Sequence, residues 1–174
     1  MKKEGFQVKV DAQDICPRYI AHYVHDVKIT ESPAWMKRRL ALVGLDSISN
    51  VVDITNYVLK ELGQPMHAFD CSYLEGNAIN VRRAEEGEKF VTLDGVERTL
   101  SAADLMICNA EAPMCLAGVF GGEDSGVTET TVDVFLESAY FNPVSIRKSS
   151  KRHGLKTDAS FRYERGADPL AVEY

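Results

Sequence analysis

A chain of 174 residues can bury one substantial core, as a single large domain or two small ones packed intimately together. At 45% hydrophobic and 26% charged it has the make-up of a globular protein, which excludes a disordered or fibrous chain. No apolar run nears the ~18 residues of a membrane span, no apolar stretch follows the charges of MKKEGFQVKV, and the net charge of −6 argues against a generic nucleic-acid binder, so a cytoplasmic protein is expected.

Alternation of apolar and polar residues predicts strands at FQVKV (6–10) and RYIAHYVHDVKI (18–29). His22 and His25 would point to opposite faces of the second, so they are not expected to share a metal. A helix is predicted over 33–43, with Ser32 as cap, Pro33 in the first position, a stripe of Met36, Leu40 and Val43, and Gly44 as stop. A second helix spans 49–62 and ends at Gly63, with Pro65 preventing continuation. It places the polar Asn56 beside Val52 and Leu59.

GQPMHAFD (63–70) reads as an irregular turn, in which apolar neighbours can keep the His67 imidazole neutral. Short strands follow at 78–83, 89–100, 105–110 and 114–120, the second being a hairpin with Asp94 and Gly95 at its tip. GVFGGEDSGV (118–127) is glycine-rich, yet it lacks the Gly-Lys-Ser/Thr ending of a nucleotide-binding loop. Close backbone approach to a ligand or to another strand is the alternative use of such glycines. TVDVFLESAYF (131–141) is a strong strand carrying Asp133, Phe135, Glu137 and Ala139 on one face. Glu137 thus follows an aromatic residue, and fits either a solvent-facing strand end or a carboxylate that is paired or binds something. NPVSIRKSSKRHG (142–154) is a helix with an Asn cap, Pro next and Gly last, its final turns basic. Asp168 and Pro169 announce a further helix, and a chain stopping at LAVEY is expected to be excised from a longer polypeptide.

Cys16, Cys71, Cys108 and Cys115 are scattered, the closest pair fits no common zinc knuckle, and buried thiols with no metal are expected. The helices do not alternate with the strands as βαβ units. The expected class is α+β, a mostly antiparallel or mixed sheet core with flanking helices, not a Rossmann arrangement. Charge is uneven: from Arg147 to Arg165 seven basic residues face Asp158 and Glu164, leaving +5 there and −11 elsewhere. Such a strip is either a solvated helix face or a seat for phosphates.

HGLKTDASFRYERG (153–166) concentrates cations, carboxylates, hydroxyls and aromatic rings between two glycines, and by itself fits a solvated loop or a binding segment. Read together with SNVVDITNYVLKELGQPMHAFD (49–70), LAGVFGGEDSGV (116–127) and VFLESAYFNPVSIRKSSKRHG (134–154), it resembles the beta subunit of bacterial phenylalanyl-tRNA synthetases. The likeness is to the central editing module of that subunit and runs from about Cys16 to Pro169. The family often carries a larger aliphatic residue at Ala167.

The resemblance implies a single compact editing module over 1–174, which hydrolyses tyrosine wrongly attached to tRNA(Phe). It implies that Glu137 accepts the tyrosine hydroxyl, that Thr157, Ala159 and Gly121 line the amino-acid pocket, and that His67 and Asn56 stand on the aminoacyl-ester side, where they orient substrate or water. Arg152, Lys156 and Arg162 are expected to meet tRNA. The implied partners are tRNA(Phe), the rest of the beta subunit and the alpha subunit of a heterotetramer. No cofactor is expected in this piece, ATP and Mg²⁺ serving the full synthetase. The competing reading is a non-catalytic tRNA-binding or scaffold module of the same subunit.

Overall fold

The computed structural model describes residues 5–173. Residues 1–4 and Tyr174 lie outside the described residues, and with them the first charges of the N-terminal segment and the last residue of the helix expected after Pro169. The class is α+β. Strands β1 (Gln7–Val10), β4 (Ala78–Arg83), β7 (Leu105–Cys108), β8 (Pro113–Leu116) and β9 (Phe120–Gly121) form one sheet in the order β1-β4-β7-β8-β9. Only β1 and β4 run parallel in it. A second, antiparallel sheet has the order β2 (Arg18–Val24), β10 (Val134–Tyr140), β3 (Met66–Asp70). The hairpin β5 (Lys89–Val91) and β6 (Glu97–Thr99) stands apart and touches Gly122 through Thr92. One hydrophobic cluster joins both sheets, the hairpin and two helices, through Val81, Phe69, Phe135, Phe90, Ile146 and Tyr163.

Among the described residues four helices flank the sheets: α1 (Ala34–Leu42), α2 (Asn50–Leu62), α3 (Pro143–His153) and α4 (Asp158–Arg165). α3 has its expected Asn142 cap, and Gly63 and Gly154 end α2 and α3 in left-handed geometry as expected; Ser49, expected as the first residue of α2, is its cap and accepts from the Val52 amide. α1 departs from them. Pro33 stays extended at the cap position, and Ser32 instead donates to Asp53 on α2 at 2.5 Å. Ser47 and the Ile48 amide donate to the same buried carboxylate, and these hydrogen bonds outweigh burial and hold its pKa below the usual range. Val43 falls after the helix and is exposed.

Further expectations are corrected. The segment around His67 is strand β3, because ladder bonds to β10 override the local turn signals of Gly63 and Pro65. The polar segment 153–166 is largely helix α4, started by a capping box in which Thr157 and Ser160 exchange side-chain and backbone bonds. The strand expected over 114–120 breaks into β8 and β9 around Gly118, whose φ of +65° only glycine adopts readily. β2 also ends at Val24, two residues before Asp26, whose positive φ turns the chain. Beyond Pro169 the described chain makes only a single 3-10 turn, Ala171–Glu173.

Candidate functional site

β3 and β10 place His67 directly opposite Glu137 in the ladder, so both side chains leave the sheet on one face as near neighbours. Phe69 and Phe135 form the next pair on that face. The His67 ring meets Phe69 edge-on, with 4.3 Å between centroids. α4 forms a wall across from them. Its Tyr163 hydroxyl reaches the carbonyls of Ala139 on β10 (2.9 Å) and Pro65 (3.3 Å), which ties the helix to both strands. Thr157 donates to the Val119 carbonyl at 2.8 Å and so fixes the start of α4 against the β8–β9 turn.

These elements and α2 enclose a cavity of about 310 Å³. Its lining brings together Asn56 from α2, His67, Gly121, Glu137, Thr157 and Ala159. The four residues expected in the amino-acid pocket and the two expected on its ester side therefore line one hollow, although they are drawn from α2, β3, β9, β10 and α4, spread over a hundred residues of chain. The volume lies at the small end of the range for small-molecule pockets.

Glu137 is 5% exposed. Its Oε2 accepts a hydrogen bond from the Tyr19 hydroxyl at 2.7 Å, and among the described residues none reaches Oε1. Burial pushes this carboxyl up to about 7, with the Tyr19 hydrogen bond opposing the rise. Burial drives His67 the other way, down to about 4, so its imidazole is neutral at pH 7. Its Nε2 is buried with no hydrogen-bond partner among the described residues. A buried polar atom in that state is stabilised by whatever polar group enters beside it. Cys115 also lines the cavity, but burial drives its thiol far above the range in which a thiolate forms at neutral pH.

The glycines of the β9 turn have distinct uses. A methyl group added at Gly121 would lie 3.4 Å from His67 Cε1, in ordinary contact, and anything larger would enter the cavity. At Gly122 it would lie 2.6 Å from the Met114 carbonyl oxygen, so only glycine lets these backbones approach.

The three expected tRNA-facing cations do not share a surface. Lys156 lines a separate groove between α3 and α4. Arg152 is bonded to the buried Asp104, which also accepts from Ser149 Oγ at 2.5 Å and pairs with His153 at 2.8 Å. Arg162 lies on the opposite side of α4, packed near Gly63 beside Lys60 and Asp158.

A sequence profile described as the B3/4 domain matches residues 15–174. The chain belongs to the B3/4 domain family. This B3/4 domain is 56% identical over 168 residues to the "Phenylalanine--tRNA ligase beta subunit" of Bacteroides fragilis, covering 97% of the chain and 20% of the relative. It is 56% identical over 169 residues to the protein of that name from Porphyromonas gingivalis and 55% over 165 residues to that of Geobacter metallireducens, covering 21% of each. The chain thus spans about a fifth of the length of these relatives. Among solved structures, an N-terminal fragment of the phenylalanyl-tRNA synthetase beta subunit from Pyrococcus horikoshii superposes with a TM-score of 0.60 at 18% identity. That match covers 86% of this chain and 49% of the other, and it shows a shared fold.

Sequence reasoning about the B3/4 domain missed Tyr19. It sits on β2 opposite Ala139, diagonal to Glu137 on the same face of β10. The alternation of RYIAHYV put Tyr19, Ala21 and Tyr23 on one face, but only the β2–β10 register reveals which carboxylate that face meets. Among the described residues no helix is long and apolar enough to cross a membrane.

Proposed function

We propose that this domain hydrolyses the ester of tyrosine mistakenly joined to tRNA(Phe), as the proofreading part of a phenylalanine–tRNA ligase beta subunit. The observation that carries the reading is the buried carboxyl of Glu137, with Oε2 held by Tyr19 and Oε1 left for a guest in a cavity sized for one aminoacyl group. A synthetic pocket for a phenyl ring tolerates an added hydroxyl with only ~10²-fold rejection, whereas a site that expects the hydroxyl can reject its absence by ~10⁴–10⁵. The phenol of tyrosine donates to Oε1. Phenylalanine leaves that oxygen dry and unpaired.

Neutral His67 and Asn56, which line the same cavity, offer polar groups to the substrate's amino group and to an incoming water. The attacking group is water, since an aminoacyl ester is reactive enough for a positioned water and the Cys115 thiol stays protonated. Attachment of phenylalanine, with its ATP and Mg²⁺, belongs to other parts of the ligase, including the alpha subunit with which the beta subunit forms a heterotetramer. The cytoplasm is the compartment in which this chemistry is useful.

The test is deacylation of tyrosyl-tRNA(Phe) by the intact heteromer, wild type against Glu137→Ala. Loss of at least about a hundredfold in kcat/KM is expected for the tyrosyl ester, since a buried polar partner is removed. Equal rates would remove Glu137 from the account. Unimpaired tRNA binding without any hydrolysis by the wild type would favour the scaffold reading instead.

A further inference from the structure

α4 has two working faces. Ala159 and Tyr163, one helical turn apart, line the amino-acid cavity, while Phe161, Glu164 and Arg165 line a larger groove of about 820 Å³ on the other side. α3 supplies the facing wall, with Arg147 and Lys151 one turn apart, and Lys156 closes the end. Thr157 borders both hollows, so the groove and the cavity share one rim.

That groove gathers cations in an acidic chain. Acidic residues outnumber basic ones, 26 against 20. Outside the groove many cations find carboxylates, as Lys9 does with Asp11, Arg82 with Glu88, Arg83 with Asp14, Arg98 with Asp94 and Arg152 with Asp104; those without an ion pair among the described residues, such as Lys28, Arg39 and Arg162, do not line it. Among the described residues no ion pair engages Arg147, Lys151 or Lys156, and the groove's one carboxylate, Glu164, is taken by Arg165 at 2.7 Å. Three uncompensated cations on an acidic body attract a polyanion locally. The groove also carries a stacking surface. The Arg165 guanidinium lies 3.5 Å from the centroid of the Phe161 ring, which is nevertheless 52% exposed.

We propose that the α3–α4 groove seats the single-stranded 3′ end of an RNA, phosphates on Arg147, Lys151 and Lys156 and a base on Phe161, leading its terminal ribose over Thr157 into the cavity. This rests on the aminoacyl-ester reading of the cavity, because an ester held there must leave its nucleotide chain outside the shared rim. Cations that follow a backbone and an aromatic ring that takes a base face are the means by which proteins hold unpaired strands. The assignment replaces Arg152 and Arg162, which face elsewhere, with Arg147, Lys151, Arg165 and Phe161.

The experiment uses this chain and a fluorescently labelled, uncharged RNA oligonucleotide with a free unpaired 3′ end, titrated at several salt concentrations. Three phosphate contacts predict a slope of log K against log salt near −2. Arg147→Glu and Lys151→Glu should each weaken binding about tenfold or more and flatten the slope, while Lys28→Glu, an exposed cation away from the groove, should leave both unchanged. Phe161→Ala should cost about fivefold or more, and Phe161→Trp should restore it. Wild type without measurable binding, or equal loss from Lys28→Glu and the groove variants, overturns the proposal. The oligonucleotide carries no amino acid, so its binding is independent of what the cavity accepts. Hydrolysis of a small tyrosine ester by the same chain tests the cavity alone, and the two results together tell which claim has failed.

Discussion

Glu137 and His67 face each other across β3 and β10, and burial moves them in opposite directions, which makes the pH dependence of stability diagnostic. The Glu137 carboxyl goes from the usual 4.5 to about 7, so between those values the folded protein holds a proton that the unfolded chain has released. Stability from this group therefore falls as pH rises, by about 3 kcal/mol in all at 1.36 kcal/mol per pH unit. His67 goes from 6.5 to about 4, so over that window the unfolded chain holds the extra proton and stability falls as pH drops, again by about 3 kcal/mol. From pH 4.5 to 6.5 the two slopes cancel in the wild type. Glu137→Gln keeps an acceptor for Tyr19, removes the carboxyl and exposes the His67 slope. Urea unfolding from pH 4.5 to 8 checks this through the difference between variant and wild type, in which every other carboxylate drops out. The variant should gain on the wild type as pH rises, reaching about 3 kcal/mol by pH 8. A difference that stays flat with pH would refute the premise that Glu137 is a buried, partly protonated acid.

Other outcomes follow from named contacts. Gly121→Trp and Ala159→Trp should each fill the cavity and abolish tyrosyl-ester hydrolysis while the intact ligase still attaches phenylalanine; retained deacylation would show that neither position borders the substrate. Tyr19→Phe removes the hydrogen bond that opposes the rise of Glu137, so the carboxyl should move further up, KM for a tyrosyl ester should rise several-fold near pH 7 with kcat little changed, and alkaline pH should recover much of the loss. A pH-independent loss would instead mark a packing effect. Asp104→Ala strips the partner from Arg152, His153 and Ser149 and should destabilise the chain by about 2–4 kcal/mol in urea unfolding, without altering the tyrosine preference.

Much of the architecture was legible because local signals and long-range packing agree. Gly63 ends α2, Asn142 and Gly154 bound α3, and the alternation of VFLESAY put Glu137 on one face with Phe135 and Ala139, while only the packed sheet shows that this face is buried. Where the signals conflicted, tertiary pairing won. Met66–Asp70 follows a glycine and a proline yet is a strand, since β10 offers it a ladder partner that no window of local sequence contains. α4 was hidden by its composition: its cap partner is Ser160 rather than a glutamate, and its two aromatic residues, Phe161 and Tyr163, fall on different faces and form no apolar stripe. That misreading matters, because the partition between cavity and groove is this helix. The clustering of Asn56, His67, Gly121, Glu137, Thr157 and Ala159 came from likeness to a family and not from spacing. Tyr19 lay outside both kinds of reading, being defined by strand register alone.

The most direct measurement is a crystal structure of the chain with a non-hydrolysable tyrosyl-adenosine analogue. The phenolic oxygen is expected about 2.6–3.0 Å from Glu137 Oε1, with Tyr19 still on Oε2 and the adenosine leaving past Thr157. A tyrosyl ring bound outside this hollow, or with its hydroxyl turned to solvent while Glu137 stays unpaired at Oε1, would contradict it.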